Sequence, residues 1–268
     1  MPVETVMVIG DHYRELSHGK QLVTASELLA RLVSTAPTGL RILVGQGLTE
    51  SQLTELVRLV DRAGASVALC GPVTPPAVYG PSLGSAAIPA LVGRIERIEP
   101  DRFVAPLRLD ERLDVLDDER REGHLTALVV LEVARHMWVA TTEKFLLLPD
   151  QRNTWVIGGV PQIRSAFHQH LFPFPARVEC RLIERESQGL GQMLSVRVAI
   201  HQGGVLAAQV QTDLRLLPKA VAQRFEGLAL RKALSRQLTV MDPTGQVAGT
   251  GELISPHIRP SVFKGVDR

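Results

Sequence analysis

The stretch EGHLTALVVLEVARHMW, residues 122–138, limits most strongly how this chain can fold. Its apolar residues surround a helix on most sides, so such a helix must be buried by several other elements. Beyond Pro149 come four segments with the composition of β-strands: TWVIGGVPQIRSAFHQHLF, ARVECRLIERE, QMLSVRVAIHQGG and VLAAQVQTDLRLLP. Gly203 and Gly204 are predicted to join the last two as a tight hairpin. The order of these segments predicts an antiparallel meander beside one buried helix.

A single apolar helix buries most of its surface when a sheet wraps around it, and this arrangement is the hotdog fold. We therefore predict an α+β chain with a hotdog domain at residues 94–240. RIERI and RFVAPLRLD supply two further short strands ahead of the helix. The helical segment KAVAQRFEGLALRKALSRQL ends this domain, and a polar tail at 241–268 follows it.

The first 70 residues alternate β-branched runs with helical patterns. The strand-like runs are TVMVIGD, RILVG and SVALC, and the helical ones are QLVTASELLARLV and TESQLTELVRLVDRAG. Thr49 and Gln52 form a predicted capping box, with Gly64 as the C-cap of the same helix. This βαβαβ order predicts a small α/β domain with a short parallel sheet at residues 1–70. The proline- and glycine-rich residues 71–93 are predicted to be a linker.

Composition argues against several classes of function. The chain has 30 basic and 28 acidic residues, and they are scattered, so nothing favours nucleic acid or an anionic membrane as a partner. We find neither a signal-peptide pattern nor an apolar run of about 18 residues, and we expect a cytoplasmic protein. Cys70 and Cys180 each lie in an apolar stretch without a CxxC partner, as expected of reduced thiols in buried strands. A small molecule or another protein is the expected partner.

Four polar residues interrupt the apolar helix: His124, Glu132, Arg135 and His136. At about 100° per residue, positions 124, 128, 132 and 135 or 136 share one stripe, so these side chains are expected to face a common cleft. Apolar neighbours would raise the pKa of the Glu132 carboxyl group, which makes it a candidate general acid or base. The alternative is that Glu132 only pairs with Arg135 or His136 one turn along, and that His124 only caps the helix.

Two other places carry candidate binding residues. AFHQH puts His168 and His170 two apart on a predicted strand, on one face, as in half of a metal site. No third ligand is indicated by the spacing, so a buried pair near an acyl cleft, flanked by phenylalanines, is favoured. Gly10 and Asp11, with VGQGLTE at 44–50, follow strands of the N-terminal sheet, where open α/β sheets bind ligands. These loops match neither the dinucleotide nor the P-loop pattern, so we expect plain turns; any ligand there would be an anion.

The run GHLTALVVLEVARH resembles the signature of the A-factor biosynthesis protein family, the hotdog proteins that make γ-butyrolactone signals in actinomycetes. That family begins its central helix with Asp-His-Val-Pro-Gly-Met, three aliphatic residues and Glu-Ala-Ala-Arg-Gln. Its His matches His124, its Glu matches Glu132 at the same eight-residue spacing, and its Ala-Arg pair matches Ala134 and Arg135. The departures of the chain from the signature include Gly123, Thr126, Ala127 and His136.

The resemblance implies an enzyme of secondary metabolism or signal biosynthesis without a resident cofactor, acting on an acyl thioester of CoA or of an acyl carrier protein. The implied reaction is acyl transfer from a β-ketoacyl thioester to a hydroxyl acceptor such as dihydroxyacetone phosphate. Glu132 would take the hydroxyl proton, His124 would orient the group, and Arg135 would bind Glu132 or phosphate. The remaining histidines are candidate substrate contacts: His136, His168 and His170.

The expected assembly is a homodimer. Members of the family that this sequence resembles carry two hotdog units in one chain, whereas this sequence shows one. Because the hotdog cleft is shared between two units, a lone unit is expected to pair with a second copy. Two alternatives to acyl transfer stay open. One keeps the site but dehydrates a 3-hydroxyacyl thioester or hydrolyses a thioester, and the other is a non-catalytic dimer that binds acyl groups or a partner protein.

Overall fold

The computed structural model describes residues 3–17, 21–35, 39–71, 91–109, 123–152 and 154–240. The chain divides into two compact units, residues 1–222 and 223–268. Within its described part, the first unit contains one sheet of four strands and one of six. Most of the predicted linker and the whole predicted C-terminal tail lie outside the described residues.

The N-terminal sheet is parallel, as the alternating pattern predicts. Its strands are β1 (Glu4–Ile9), β2 (Leu22–Thr24), β3 (Leu40–Val44) and β4 (Val67–Cys70), in the order β2-β1-β3-β4. Its helices are α1 (Ala25–Ser34) and α2 (Glu50–Ala63). The capping box at Thr49 and Gln52 and the C-cap at Gly64 are confirmed. The sequence pattern does not reveal β2, because three residues that run straight into α1 are too short to show a strand period.

The second sheet curls around helix α3 (Ala127–Thr141), which continues into one π-helical turn, Thr142–Leu146. Neighbouring strands are antiparallel, in the order β5-β6-β8-β9-β10-β7. The strands are β5 (Glu96–Glu99), β6 (Arg102–Pro106), β7 (Trp155–Phe167), β8 (Ala176–Gln188), β9 (Gly191–Gln202) and β10 (Val205–Pro218). Helix α3 packs against β8, β9 and β10, and its apolar side chains share one core with them. The predicted hotdog fold is confirmed.

Strand β7 does not lie where the expected meander would put it. Strands β8, β9 and β10 follow one another as hairpins, the last of them through Gly203 and Gly204, both with positive φ. Strand β7 pairs with β10 and not with β8, so the meander prediction is wrong for this strand. Pro161 is consistent with an edge position, because proline has no N–H to donate to a second neighbouring strand. Among the described residues, no strand pairs with the outer edge of β7.

The loop after β3 joins the two sheets. The amide side chain of Gln46, which is 1% exposed, donates to Leu107 O at 3.1 Å and accepts from Leu109 N at 2.9 Å. The backbone N–H of Gln46 donates to Pro173 O at 2.8 Å. A Cβ atom on Gly45 would lie 2.6 Å from that same carbonyl oxygen, so only glycine allows this close approach. The hotdog domain therefore covers the carboxyl end of the parallel sheet at this loop.

Helix α4 (Lys219–Val240) follows β10 and matches the predicted C-terminal helical segment. Its exposed apolar side chains are 49% to 70% accessible to solvent: Phe225, Leu228, Leu230 and Leu234. None of the helices in the described ranges combines the length and the apolar character that crossing a bilayer requires.

Candidate active site

One stripe of helix α3 is open to solvent while the rest of the helix is buried. Leu128 is 64% exposed, and the side chains of Glu132 and Arg135 are 33% and 37% exposed. Val129, Val133 and the other residues facing β8, β9 and β10 are inaccessible or nearly so. The expected common stripe is therefore present for positions 128, 132 and 135, and it puts one carboxylate and one guanidinium at the surface of an otherwise apolar helix.

Glu132 is bound from two sides by residues of its own helix. Arg135 Nε donates to Glu132 Oε2 at 2.8 Å and lies 3.0 Å from Oε1. His136 Nε2 lies 3.2 Å from Glu132 Oε1. These are the (i, i+3) and (i, i+4) pairs of the alternative interpretation, and here both form at once.

His136 is 1% exposed and uses both ring nitrogens inside the chain. Its Nδ1 accepts the backbone N–H of Leu91 at 3.0 Å. An accepting Nδ1 carries no proton, so the neutral ring has its proton on Nε2 and donates it to Glu132. With that tautomer the 3.1 Å approach of Arg135 Nη2 to Nε2 joins two donors and is not a hydrogen bond. His136 thus holds the Glu132 carboxylate from the interior side of the helix.

The pKa of Glu132 is shifted opposite to the sequence-based expectation. The hydrogen bond from His136 and then that from Arg135 lower the pKa from 4.5 to about 2, and they outweigh desolvation, which raises it. The expectation of a raised pKa is wrong because the apolar neighbours on the helix point into the core, while two donors point at the carboxylate. Glu132 is a carboxylate across the physiological pH range, and so it is a strong hydrogen-bond acceptor and a weak base.

His124 does not lie on the helix. Helix α3 begins at Ala127 with Thr126 as its N-cap, and Leu125 N donates to Leu171 O at 2.7 Å, which holds the preceding segment outside the helix. The expectation that His124 shares the stripe of Glu132 is therefore wrong. The Thr126 side chain makes no capping hydrogen bond, so the first turn of α3 has amide groups that no N-cap side chain satisfies.

His124 instead begins a row of rings that runs along the segment between β7 and β8. Ring centroids are 4.7 Å apart for His124 and His170, 6.3 Å for His170 and Phe172, and 5.6 Å for Phe172 and Phe174. We call these four residues the aromatic row. His168 and His170 lie beyond the end of β7 and are exposed, so their predicted place on a strand and their predicted burial are both wrong.

Gln202, which the sequence analysis did not single out, fixes the middle of the aromatic row. Its Oε1 accepts from Phe172 N at 3.0 Å, and its Nε2 donates to Phe172 O at 2.9 Å and to Phe174 O at 3.3 Å. Its position directly before the Gly203–Gly204 turn is the only sequence signal, and that signal indicates a turn rather than a clamp. Because Gln46 holds the intervening Pro173, the segment is fixed from both sides.

The candidate anion site of the N-terminal sheet is filled by the chain itself. Asp11 accepts hydrogen bonds from Ser26 N at 3.0 Å and from Gln52 Nε2 at 2.9 Å, and so it binds the first turns of both α1 and α2. Burial raises the pKa of Asp11, but the hydrogen bonds from Ser26 and Thr24 and the charge of Arg14 together outweigh it, and the pKa lies below its ordinary value. The aspartate takes the place that an external anion would occupy at these helix N-termini.

The two cysteines differ from each other. Cys180 is buried in β8 as expected, and burial raises the pKa of its thiol to about 12. Cys70 is only partly buried and lies 3.4 Å from Arg41 Nε, so its expected burial is wrong. Within the described ranges, no three His, Cys, Asp or Glu side chains lie close enough together to hold a metal ion.

Comparison with solved structures finds several thioesterases. One from Haemophilus influenzae is 13% identical, with a TM-score of 0.35, over 48% of this chain and 80% of that one. A mutant thioesterase from Pseudomonas aeruginosa is 12% identical, with a TM-score of 0.35, over 47% and 81%. AziG from S. sahachiroi is 21% identical, with a TM-score of 0.33, over 47% and 90%. No protein-family model and no curated protein sequence matches the chain.

Proposed function

We propose that this chain is an acyl-thioester-processing hotdog enzyme. The observation that carries the proposal is Glu132, an ionised carboxylate on the open stripe of an otherwise apolar central helix, oriented by His136 and Arg135. A fixed carboxylate beside an apolar surface suits the transfer of an acyl group, whose chain is apolar and whose reacting end is polar.

The proposed reaction is transfer of a β-ketoacyl group from its thioester to a hydroxyl acceptor such as dihydroxyacetone phosphate. The acceptor oxygen forms an ester bond to the acyl carbon, the carbon–sulfur bond breaks, and the hydroxyl proton leaves with the thiol. Glu132 accepts the hydroxyl hydrogen bond and stabilises the positive charge that develops on the attacking oxygen. With a pKa of about 2, it orients and stabilises this group rather than keeping the proton.

Three further groups have roles in this proposal. The amide groups in the first turn of α3, which Thr126 does not cap, would receive the thioester carbonyl oxygen as negative charge develops there. Arg135 is 37% exposed and uses Nε and Nη2 on Glu132, and its other amino group would contact the acceptor phosphate. We assign His136 a positioning role in place of the expected substrate contact, because it is buried behind Glu132.

We also propose that two copies of the chain form the working enzyme. Ile163 and Phe167 on β7 face the same side as buried residues of β10, yet they are 49% and 50% exposed. The outer edge of β7 lacks a strand partner among the described residues, and such an edge is suited to pairing with a second strand. A second copy that pairs along this edge would cover the apolar surface.

The experiment that tests the reaction is mass spectrometry of the protein with a panel of β-ketoacyl and 3-hydroxyacyl thioesters, with and without dihydroxyacetone phosphate. We expect an ester product only with the acceptor, formed at least about 10²-fold more slowly by Glu132→Gln. Glu55→Gln is the matched control, because Glu55 also pairs with an arginine three residues on, Arg58, at an exposed position of a helix. Undiminished turnover by folded Glu132→Gln would exclude the proposed role of Glu132.

The same experiment separates the second candidate function. The Glu132 side chain is 33% exposed, so water can reach its carboxylate as well as a hydroxyl group can, and this exposure keeps thioester hydrolysis as the alternative. Release of thiol without acceptor would establish hydrolysis, and an unsaturated acyl product from 3-hydroxyacyl thioesters would establish dehydration. Unchanged thioesters under all conditions would contradict the proposal of an enzyme and favour the third hypothesis, a non-catalytic dimer that binds acyl groups.

A further inference from the structure

We propose that the aromatic row is a platform on which the adenine ring of coenzyme A stacks, so that CoA and not a carrier protein delivers the acyl group. This inference rests on the proposed function, because it names the carrier of the same acyl thioester. The juxtaposition that supports it is a series of four interacting rings, two of them exposed, next to the start of the helix that carries Glu132.

Two of the four rings, His170 and Phe172, keep part of their surface open to solvent. The centroid separations along the row, 4.7 to 6.3 Å, are those of interacting aromatic side chains. His170 is exposed and Phe172 is 37% exposed, so ring surface remains open after the side chains have packed against each other. An adenine ring gains stacking energy from such a surface, as nucleobases do on exposed aromatic side chains.

The backbone of the platform is held in place by hydrogen bonds that leave the faces of its rings uncovered. Gln202 makes three hydrogen bonds to the backbone of Phe172 and Phe174, and Gln46 binds the Pro173 carbonyl oxygen. At the other end, His168 N donates to Ala207 O at 2.8 Å. A surface that is fixed before the ligand arrives loses less entropy on binding, so these contacts favour recognition at an otherwise mobile type of segment.

The platform is also close to the proposed reacting group. His124, its first ring, precedes the first residue of α3 by three positions, and Glu132 lies five residues into the helix. At a rise of about 1.5 Å per residue, Glu132 is roughly 7.5 Å along the helix axis from its start. The pantetheine arm of CoA links the thioester sulfur to the adenine nucleotide, and it would span from the open stripe to the row. A carrier protein presents the same arm without an adenine ring.

The test compares one β-ketoacyl group carried on CoA with the same group carried on pantetheine. We expect the wild-type KM to be about tenfold lower for the CoA thioester, a ratio expected from stacking of one base. Phe172→Leu should remove this preference, raising KM for the CoA thioester about tenfold while kcat and the pantetheine KM stay unchanged. The substitution keeps the hydrogen bonds of Gln202, because they join its side chain only to backbone atoms of Phe172.

Two controls keep the inference falsifiable. Phe225→Leu replaces another exposed phenylalanine, 54% accessible and outside the row, and should keep the wild-type preference. His170→Ala, checked for folding by circular dichroism, should lose the preference as Phe172→Leu does. Equal KM values for both carriers in the wild type, or an equal rise for both carriers in Phe172→Leu, would overturn the inference.

A binding measurement distinguishes failure of this inference from failure of the proposed function. If neither thioester is turned over, the reaction proposal fails, and calorimetry with free CoA and free pantetheine still tests the row. CoA binding that is about tenfold weaker in Phe172→Leu than in the wild type would support the platform. Equal affinity of the wild type for CoA and pantetheine would exclude it.

Discussion

The carboxyl end of the N-terminal sheet and the open stripe of α3 show opposite treatments of polar groups. At the sheet end, Asp11 binds both helix N-termini and Gln46 binds the backbone of the hotdog domain, so the groups that usually recognise a ligand are already satisfied. On α3, Glu132 is held but one third exposed, and Thr126 leaves the first turn uncapped. The position of a residue in a fold therefore indicates a binding site only where its polar groups can still reach a ligand from solvent.

The largest change in stability is expected from Gln46→Ala, which removes a side-chain contact between the end of the N-terminal sheet and the hotdog domain. It removes two buried hydrogen bonds and leaves Leu107 O and Leu109 N without that partner. Unsatisfied buried groups of this kind cost about 1–3 kcal/mol each, so we expect a loss of roughly 2–6 kcal/mol in the free energy of unfolding. Urea denaturation measures it, with the exposed Gln188→Ala as control. A loss no larger than that of the control would show that the amide does not hold the two sheets together.

A smaller effect is expected from Asp11→Asn, which removes the internal anion at the N-termini of α1 and α2. The asparagine still accepts one hydrogen bond, but the favourable charge is lost, so we expect about 1 kcal/mol of destabilisation. Asp61→Asn is the control, because Asp61 is exposed in the last turn of α2, where a negative charge is unfavourable. Thermal unfolding of both variants should therefore move Tm in opposite directions or leave Asp61→Asn unchanged. A Tm for Asp11→Asn equal to that of the wild type would contradict the filled-anion-site interpretation.

The smallest effect is expected from the pH dependence that Glu132 contributes. Its pKa is about 2 in the folded chain against an ordinary value of 4.5, so the folded state binds fewer protons than the unfolded state between those values. The stabilisation is complete above about pH 4.5 and is lost as the pH falls toward 2. Solvent screening of this partly exposed group keeps the contribution small. The difference in urea midpoint between wild type and Glu132→Gln should shrink as the pH falls through this range, and a constant difference would contradict the bound carboxylate.

Much of the fold could be predicted because it depends on local and periodic signals. The capping box at Thr49 and Gln52 and the hairpin at Gly203 and Gly204 are local, and the alternating strands and the apolar helix follow from periodicity. The edge position of β7 could not be predicted from strand order alone, since any of several pairings buries the same face of a strand. Pro161 was the available signal, because an edge strand tolerates the missing N–H.

Of the candidate site, the sequence indicated one pairing of side chains but not the surrounding arrangement. Helical spacing indicated that Glu132 could pair with Arg135 and His136, and the structure contains both pairs. The position of His124 outside the helix depends on the hydrogen bond from Leu125 to Leu171, which are far apart in sequence. Gln46 and Gln202 were missed for the same reason, because a glutamine becomes a clamp only where tertiary structure brings backbone groups to it.

The sequence by itself determined most of the secondary structure, the two-sheet composition of the chain and the burial of its central helix, because propensity and hydrophobic periodicity are properties of neighbouring residues. Tertiary structure alone decided which polar groups are satisfied. It directed the Leu91 amide at His136 Nδ1, so that Nε2 carries the proton and donates a hydrogen bond to Glu132. It also assembled four rings into one row: His124, His170, Phe172 and Phe174. The protonation and direction of a group depend on distances that only the folded chain sets, and for this reason the pKa of Glu132 lies below its ordinary value and not above it.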